Sequence, residues 1–213
     1  HDLTLSAAWR FLQMSLSYSQ TKDWILNWGE LVNEDASLTM LSQRNWDKSV
    51  PMFATFLSAT PKIGCWSPML GVGMQKQWLV VDYFKESKNL DNPIFTASFN
   101  NIWELPLDFM VSLDSYIQSP GATQNIYFEK PNGYVNVSLR KSFLNDALSV
   151  ELRGNDIFNT NKISYSMYSG DYYLYQKSVW DRQEFVVTIR YKLNAAKSKY
   201  KGTGAGDSQK SRM

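Results

Sequence analysis

The sequence predicts an all-β protein, an antiparallel transmembrane β-barrel with about nine strands in this chain, and three observations carry that reading. Apolar and polar residues alternate with a period of two in almost every window, the signal of strands with one wet and one apolar face. Connections alternate between tight turns and longer polar segments, as in membrane barrels with short turns on one side and long loops on the other. Aromatic residues make up 15% of the chain, with eight Trp, twelve Tyr and eleven Phe. A barrel places such rings in girdles at its two interfaces.

The strands fall near residues 3–9, 12–28, 37–60, 68–83, 93–103, 107–118, 133–143, 147–168 and 172–193. In the second, Leu12, Met14, Leu16 and Tyr18 alternate with Gln13, Ser15, Ser17 and Ser19. In the fourth, Val72 and Met74 lead to Lys76 and Trp78, so Lys76 interrupts a lipid-like face. A charge there costs roughly 2–4 kcal/mol at mid-membrane, which favours a snorkelling lysine or a bulge over a substrate contact. The sixth sets Phe109, Val111, Leu113 and Ile117 against Ser112, Asp114, Tyr116 and Gln118. The seventh runs from Tyr134 through Val135, Val137 and Leu139 to Arg140, with Asn136 and Ser138 between. The eighth interleaves Leu148, Val150 and Leu152 with Ser149, Glu151 and Arg153, and the ninth sets Phe185, Val187, Ile189 and Tyr191 against Glu184, Thr188, Arg190 and Lys192.

Runs of this length cross a bilayer at the usual tilt of ~45°, which takes roughly 9–11 residues. The second, third, eighth and ninth are longer than that. Their outer ends should project as paired hairpins, for example 163–168 against 172–179 around Ser169-Gly170-Asp171. Asn155–Asn159 reads as a bulge or kink within the eighth strand. Tight turns are expected at Arg10-Phe11, Lys62–Trp66, Glu104–Pro106 and Asn145-Asp146, with longer loops around 84–92 and 118–132. An odd strand count that starts in mid-alternation reads as a piece of a larger barrel, since an unclosed sheet leaves edges in lipid.

Several classes are disfavoured. A net charge of +2 gives no reason to invoke nucleic acid. No apolar run is long enough for a transmembrane helix, and His1-Asp2-Leu3-Thr4 opens without a signal peptide, as in a mature or truncated product. Cys65 and His1 are the sole cysteine and histidine, so a disulfide, a zinc site or a His-based triad finds no residues. No nucleophile–base set can be assembled; the expectation is no enzyme and no cofactor. Gly202, Gly204 and Gly206 lack the Gly-Lys-Ser/Thr of a phosphate loop. Asp156 and Asp181-Arg182 read as turn-holding residues.

Two groups are candidates for function. Glu151, Arg153, Arg190 and Lys192 lie on the wet face of neighbouring strands, where a cross-strand ladder facing a lumen is expected, with solute contact as the sharper alternative. Tyr165, Tyr168, Tyr172, Tyr173, Tyr175 and Trp180 crowd an outer hairpin, where rigid amphipathic rings suit a surface for a ligand or a lipoprotein partner. Trp24, Trp28, Trp103, Tyr134, Phe143, Phe185 and Tyr191 fall near strand ends and read as girdle residues.

From Trp9 onward the chain resembles the C-terminal part of an outer-membrane β-barrel family related to TonB-dependent receptors of Bacteroidetes-type bacteria. The segments that carry the likeness are Pro61–Pro68, Leu70–Trp78, Leu139–Leu144, Leu148–Phe158 and Ile189–Asn194, with the tail Lys197–Gly206. The resemblance implies a 22-stranded barrel, a plug, earlier strands of the same protein and coupling through TonB, none of which this chain itself contains. On this reading 1–194 is partial barrel in the cell outer membrane and 195–213 a flexible polar periplasmic tail. The expected function is solute uptake across the outer membrane, with outer-membrane lipid as partner. The alternatives are a non-transporting structural or adhesion barrel, and a soluble carbohydrate-binding β-sandwich.

Overall fold

A computed structural model describes residues 1–32, 39–170, 172–178 and 181–193, and every regular element among them is a strand. In chain order these are β1 (Asp2–Trp9), β2 (Leu12–Thr21), β3 (Trp24–Leu31), β4 (Thr39–Trp46), β5 (Val50–Ala59) and β6 (Trp66–Gln77). There follow β7 (Leu79–Tyr83), β8 (Glu86–Leu90), β9 (Ile94–Leu105), β10 (Phe109–Gln118), β11 (Gly121–Thr123) and β12 (Ile126–Phe128). The last five are β13 (Asn132–Phe143), β14 (Leu148–Asn155), β15 (Ile163–Ser169), β16 (Tyr172–Ser178) and β17 (Glu184–Tyr191).

Nine of these strands make one antiparallel sheet in the order β1-β2-β5-β6-β9-β10-β13-β14-β17. Each lies beside its predecessor, up and down, so the nine expected membrane strands are present. Register aligns an apolar row on one face with a mainly polar row on the other. One row runs Trp66, Trp103, Val111, Leu139, Leu152, Val187 on one face. The adjacent row on the other face runs Ser67, Ile102, Ser112, Ser138, Arg153, Val186. The apolar face is uncovered: Phe185 is 80% exposed and Ile189 70%. A soluble sandwich buries such a face against a second sheet; here lipid is the complement. β1 and β17 have one neighbour each, and the sheet does not close on itself.

Four tight turns lie at one end of this sheet. Three contain residues in the left-handed region, Arg10 (φ 51), Leu107 and Asp108 (φ 63 and 60), and Leu144–Asp146, and the fourth has Gly64 at φ 60. Positive φ at successive positions matches a two-residue turn to the right-handed twist of the strands it joins. The third turn is Pro106–Asp108, two residues beyond the expected Glu104–Pro106, because β9 keeps its ladder to Leu105.

All four connections at the opposite end carry hairpins. β3–β4 and β7–β8 are two-stranded sheets, and β11-β12-β15-β16 is a four-stranded one. The outer ends expected of the strands at 12–28 and 37–60, and of 163–168 against 172–179, do form hairpins, β3–β4 and β15–β16, but these are not continuations of the membrane strands. Asp23 (φ 54) breaks the chain after β2. The eighth strand does not pass through a bulge at 155–159. It ends at Asn155, turns at Asp156 (φ 42) and Asn159 (φ 52), and restarts as β15 in another sheet. The loops at 84–92 and 118–132 also hold strands, β8, β11 and β12. The polar tail 195–213 lies outside the described residues.

The buried apolar residues belong to this outer assembly. Leu26, Trp28, Trp46, Val50, Leu79, Val81, Leu90 and Ala122 form one cluster at or beyond the outer end of the sheet, flanked by Trp24, Met52, Tyr127 and Tyr168. At roughly 1.5–3 kcal/mol for each fully buried aliphatic or aromatic side chain, this cluster holds the four loops as one folded cap. Trp24 and Trp28 are therefore cap core and not girdle residues, since the break at Asp23 lifts them out of the membrane sheet. The girdle role suits Trp66 and Trp103 instead, which stack at 6.3 Å near the tight-turn end of the apolar face.

Candidate functional site

The polar face of the sheet is densest where β10, β13, β14 and β17 approach the cap. Tyr116 and Tyr134 sit directly opposite one another and stack at 6.0 Å. Even numbering on β13 puts Tyr134 beside Asn136 on the polar face, so it is not a girdle residue. One step along, Asn136 Nδ2 donates to Asp114 Oδ2 at 3.1 Å, and its Oδ1 accepts from the Asp156 amide at 2.8 Å. Asp156 is buried, and its carboxylate accepts the amides of Thr160 (2.9 Å) and Asn161 (3.0 Å). That carboxylate holds the turn that ends β14. On the far side Arg153 Nε donates to Asn155 Oδ1 (2.8 Å), and Asn155 Nδ2 donates to Glu184 Oε1 (2.6 Å).

An open polar niche of about 380 Å³ is lined by Tyr134, Asn136, Asn155, Asp156, Asn161, Asp181, Arg182 and Glu184. It offers carboxylates, side-chain amides, a guanidinium and an aromatic ring. That set is suited to hydrogen bonding with hydroxyl, amide or ammonium groups. Among the described residues no three His, Cys, Asp or Glu gather as metal ligands.

The four charges read as a ladder share the polar face but do not pair. Register sets Arg190 opposite Ser149, Glu151 opposite Thr188 and Arg153 opposite Val186. Unlike charges are thus offset by two residues, and no ion pair forms among these four. On its other side Glu151 faces Arg140, again without an ion pair. Arg153 joins the niche through Asn155; Lys192, just past β17, is exposed. Lys76 stays on the apolar face with no bulge, opposite Phe53 and one residue from the outer end of β6. There it pairs with Asp91 at 3.9 Å and lies 5.2 Å from the Trp78 ring centre, a snorkelling arrangement at the rim.

The tyrosines of the outer hairpin divide between two faces. Tyr168 and Tyr173 are opposite on one face and cluster with Tyr83 at 5.1 and 6.3 Å, while Lys88 Nζ lies 4.7 Å from the Tyr168 ring. Burial pushes the Tyr168 phenol above its ordinary pKa, with Tyr173, Glu129 and Tyr83 adding to the rise and the Ser166 hydrogen bond opposing it. Ser166 Oγ also bonds Tyr173 OH at 2.9 Å and Glu129 Oε1. Tyr175 shares this face and is exposed.

Tyr165 and Tyr172 point the other way, toward β3–β4. Tyr172 packs on Gly29 so closely that a Cβ there would meet its ring at 2.3 Å, while Ser169 Oγ accepts the Gly29 amide at 3.0 Å. Tyr165 lines a groove of about 510 Å³ with Asn27, Leu41, Gln43, Met167 and Leu174, and its hydroxyl donates to Gln176 at 2.6 Å. Trp180 lies outside the described residues.

Two residues were missed in sequence. Gln77, buried at the top of β6, donates to Leu90 O (2.9 Å) and Gln124 O (2.7 Å) and accepts the Gln124 amide (2.7 Å). Asn125, fully buried, donates to Asn27 O (2.6 Å) and Tyr168 O (3.1 Å). Each ties loops far apart in sequence, and a lone amide in a polar stretch gives no sign of that. Asp114 and Asn136 were placed on the wet face, but only strand register makes them partners.

A model of an outer membrane protein beta-barrel family matches residues 1–191. No curated protein and no solved structure matches the chain.

Proposed function

This chain belongs to the outer membrane protein beta-barrel family, and from that premise we propose that it forms part of the wall of a receptor taking up a solute across the outer membrane. The observation that carries the reading is the polar niche at the outer end of the wet face, where Tyr134, Asn136, Asp181, Arg182 and Glu184 converge. A lumen that only conducts water and ions needs no such convergence. The cap roofs the same end, so a solute admitted past the cap meets the niche first. Chemistry at the niche is binding by hydrogen bonds and ring contact, without a bond made or broken.

In this reading further strands of the same protein pair with β1 and β17, because open edges in lipid leave backbone groups unsatisfied. A plug and TonB supply gating and energy, as in TonB-dependent receptors, and a surface lipoprotein is a fitting partner for the cap. The folded cap also favours a second reading, a non-transporting structural or adhesion barrel, since exposed Tyr173 and Tyr175 suit contact with a surface.

Uptake by whole cells separates the two. Cells carrying Glu184→Gln with Tyr134→Ala in the full protein should take up solute at least tenfold more slowly, at normal barrel abundance. Loss of TonB should abolish uptake. Unchanged uptake in the double variant removes the niche from the mechanism, and a TonB-independent phenotype confined to cell attachment supports the second reading.

A further inference from the structure

The apolar face is not evenly filled. Between β6, β9, β10 and β13, in the half nearer the cap, two adjoining grooves of about 510 and 420 Å³ open on the lipid side. They share Val72, Ala97, Ile117 and Pro131. Leu70, Phe99 and Val135 form the walls of the larger one. The cause lies in side-chain size along adjacent rows. Small Ser115 stands between Phe99 and Val135, and in the next row large Ile117 stands between small Ala97 and Gly133, so large and small residues adjoin across both rows. Ser115 Oγ donates to Phe99 O at 3.0 Å, which leaves its surface toward the groove without an open donor.

The outer mouth is polar. Ser119 and Gln118 border the smaller groove, and Thr160 and Asn132 the larger. Lys130, exposed, immediately precedes the shared Pro131. Since long connections face outward in such barrels, the grooves lie in the outer leaflet and the mouth at headgroup depth.

We propose that these grooves form a binding site for one acyl chain of an anionic, phosphate-bearing outer-leaflet lipid, with Lys130 beside its headgroup. The groove is continuous with the lipid-facing surface of the sheet, so acyl chains are what it meets. At roughly 30 Å³ per methylene, about the volume of a liquid water molecule, the larger groove takes on the order of fifteen carbons. Lys130, one residue before Pro131 of that mouth, supplies the positive charge that selects phosphate over a neutral headgroup.

The test is lipid retention by the purified whole barrel protein in detergent, read by native mass spectrometry, with heat-dependent gel mobility as the check on folding. Wild type should retain one phosphate-bearing lipid through washes that strip the rest. Ala97→Phe and, separately, Ser115→Val fill the groove with apolar atoms and should lower retention at least fivefold. Val137→Phe, on the same face outside the groove, should retain it as wild type does. Lys130→Glu should lower retention of phosphate-bearing lipid about threefold. Equal retention by both groove-filling variants overturns the proposal, as does equal loss in the Val137→Phe control, which would mark the lipid as an unspecific annulus.

Discussion

Leu152 in the membrane sheet and Leu26 in the cap are both strand leucines, yet Leu152 is 50% exposed and Leu26 wholly buried. The two regions use the same backbone ladder and solve burial in opposite ways. In the sheet one face is apolar and unpacked, and its order comes from register, tight turns and the requirement that every backbone group be paired in lipid. In the cap Leu26, Trp28, Trp46, Val81 and Ala122 meet across three separate small sheets, as in the core of a soluble protein. Stability in the sheet therefore rests on which side a residue faces, and in the cap on how well it fills space.

That contrast is tested most strongly by removing cap volume. Trp28→Ala should cost about 3–5 kcal/mol, because Trp28 packs on Trp46 at 5.7 Å and beside Gly170. Amide hydrogen exchange should show β3, β4, β7 and β8 losing protection while β9, β10 and β13 keep theirs. Joint loss would mean that cap and sheet are one cooperative unit. The reciprocal change is Leu152→Arg, expected to cost roughly 2–4 kcal/mol near mid-membrane, measured by urea unfolding in lipid vesicles. Ile25→Arg, at an exposed cap position, should stay within about 0.5 kcal/mol of wild type. If Ile25→Arg proves as costly as Leu152→Arg, the two regions do not differ as argued.

The same division explains what the sequence disclosed. In the sheet, alternation has one physical meaning, lipid against lumen, and it located nine strands and the faces of Glu151, Arg153 and Arg190. In the cap, strands of three to eight residues also alternate, setting buried Leu26, Trp28, Leu79 and Val81 between exposed Ile25, Asn27 and Val80, so alternation there does not distinguish them from membrane strands. β11 and β12 are three residues long, too short for any period to show. The run 147–168 looked continuous because Ile157 and Phe158 preserve apolar character across a turn. The tyrosine cluster shows a missed opportunity, since parity alone sends Tyr172 and Tyr173 to opposite faces. The niche was illegible for another reason: Asp114, Asn136 and Glu184 meet only once the register of β10, β13, β14 and β17 is fixed.

Where the two regions join, Gln77 is the joint. Its amide bonds the ends of two cap loops from the last residue of β6, at 2.7–2.9 Å. Gln77→Ala leaves the part-buried Gln124 amide without its partner and removes two further hydrogen bonds of buried Gln77, a cost of about 1–3 kcal/mol. Protease sensitivity in 119–131 should rise while the sheet remains resistant. Unchanged sensitivity would show that the apolar cluster alone seats the cap.

The smallest expected effect is a pH response confined to the cap. Burial raises the Tyr168 phenol above its ordinary pKa of about 10, so the folded cap favours the neutral ring. A group raised in this way contributes its stability in full below the ordinary value, and loses it as pH climbs through the raised one. Above about pH 10 cap protection should therefore fall in wild type, and Tyr168→Phe, which has no phenol to ionise, should hold it further. Absorbance titration of phenolate alongside hydrogen exchange reads both events. If Tyr168→Phe loses protection in step with wild type, the alkaline response belongs to other groups, and Tyr168 contributes to the cap only through its ring contacts with Tyr83 and Tyr173.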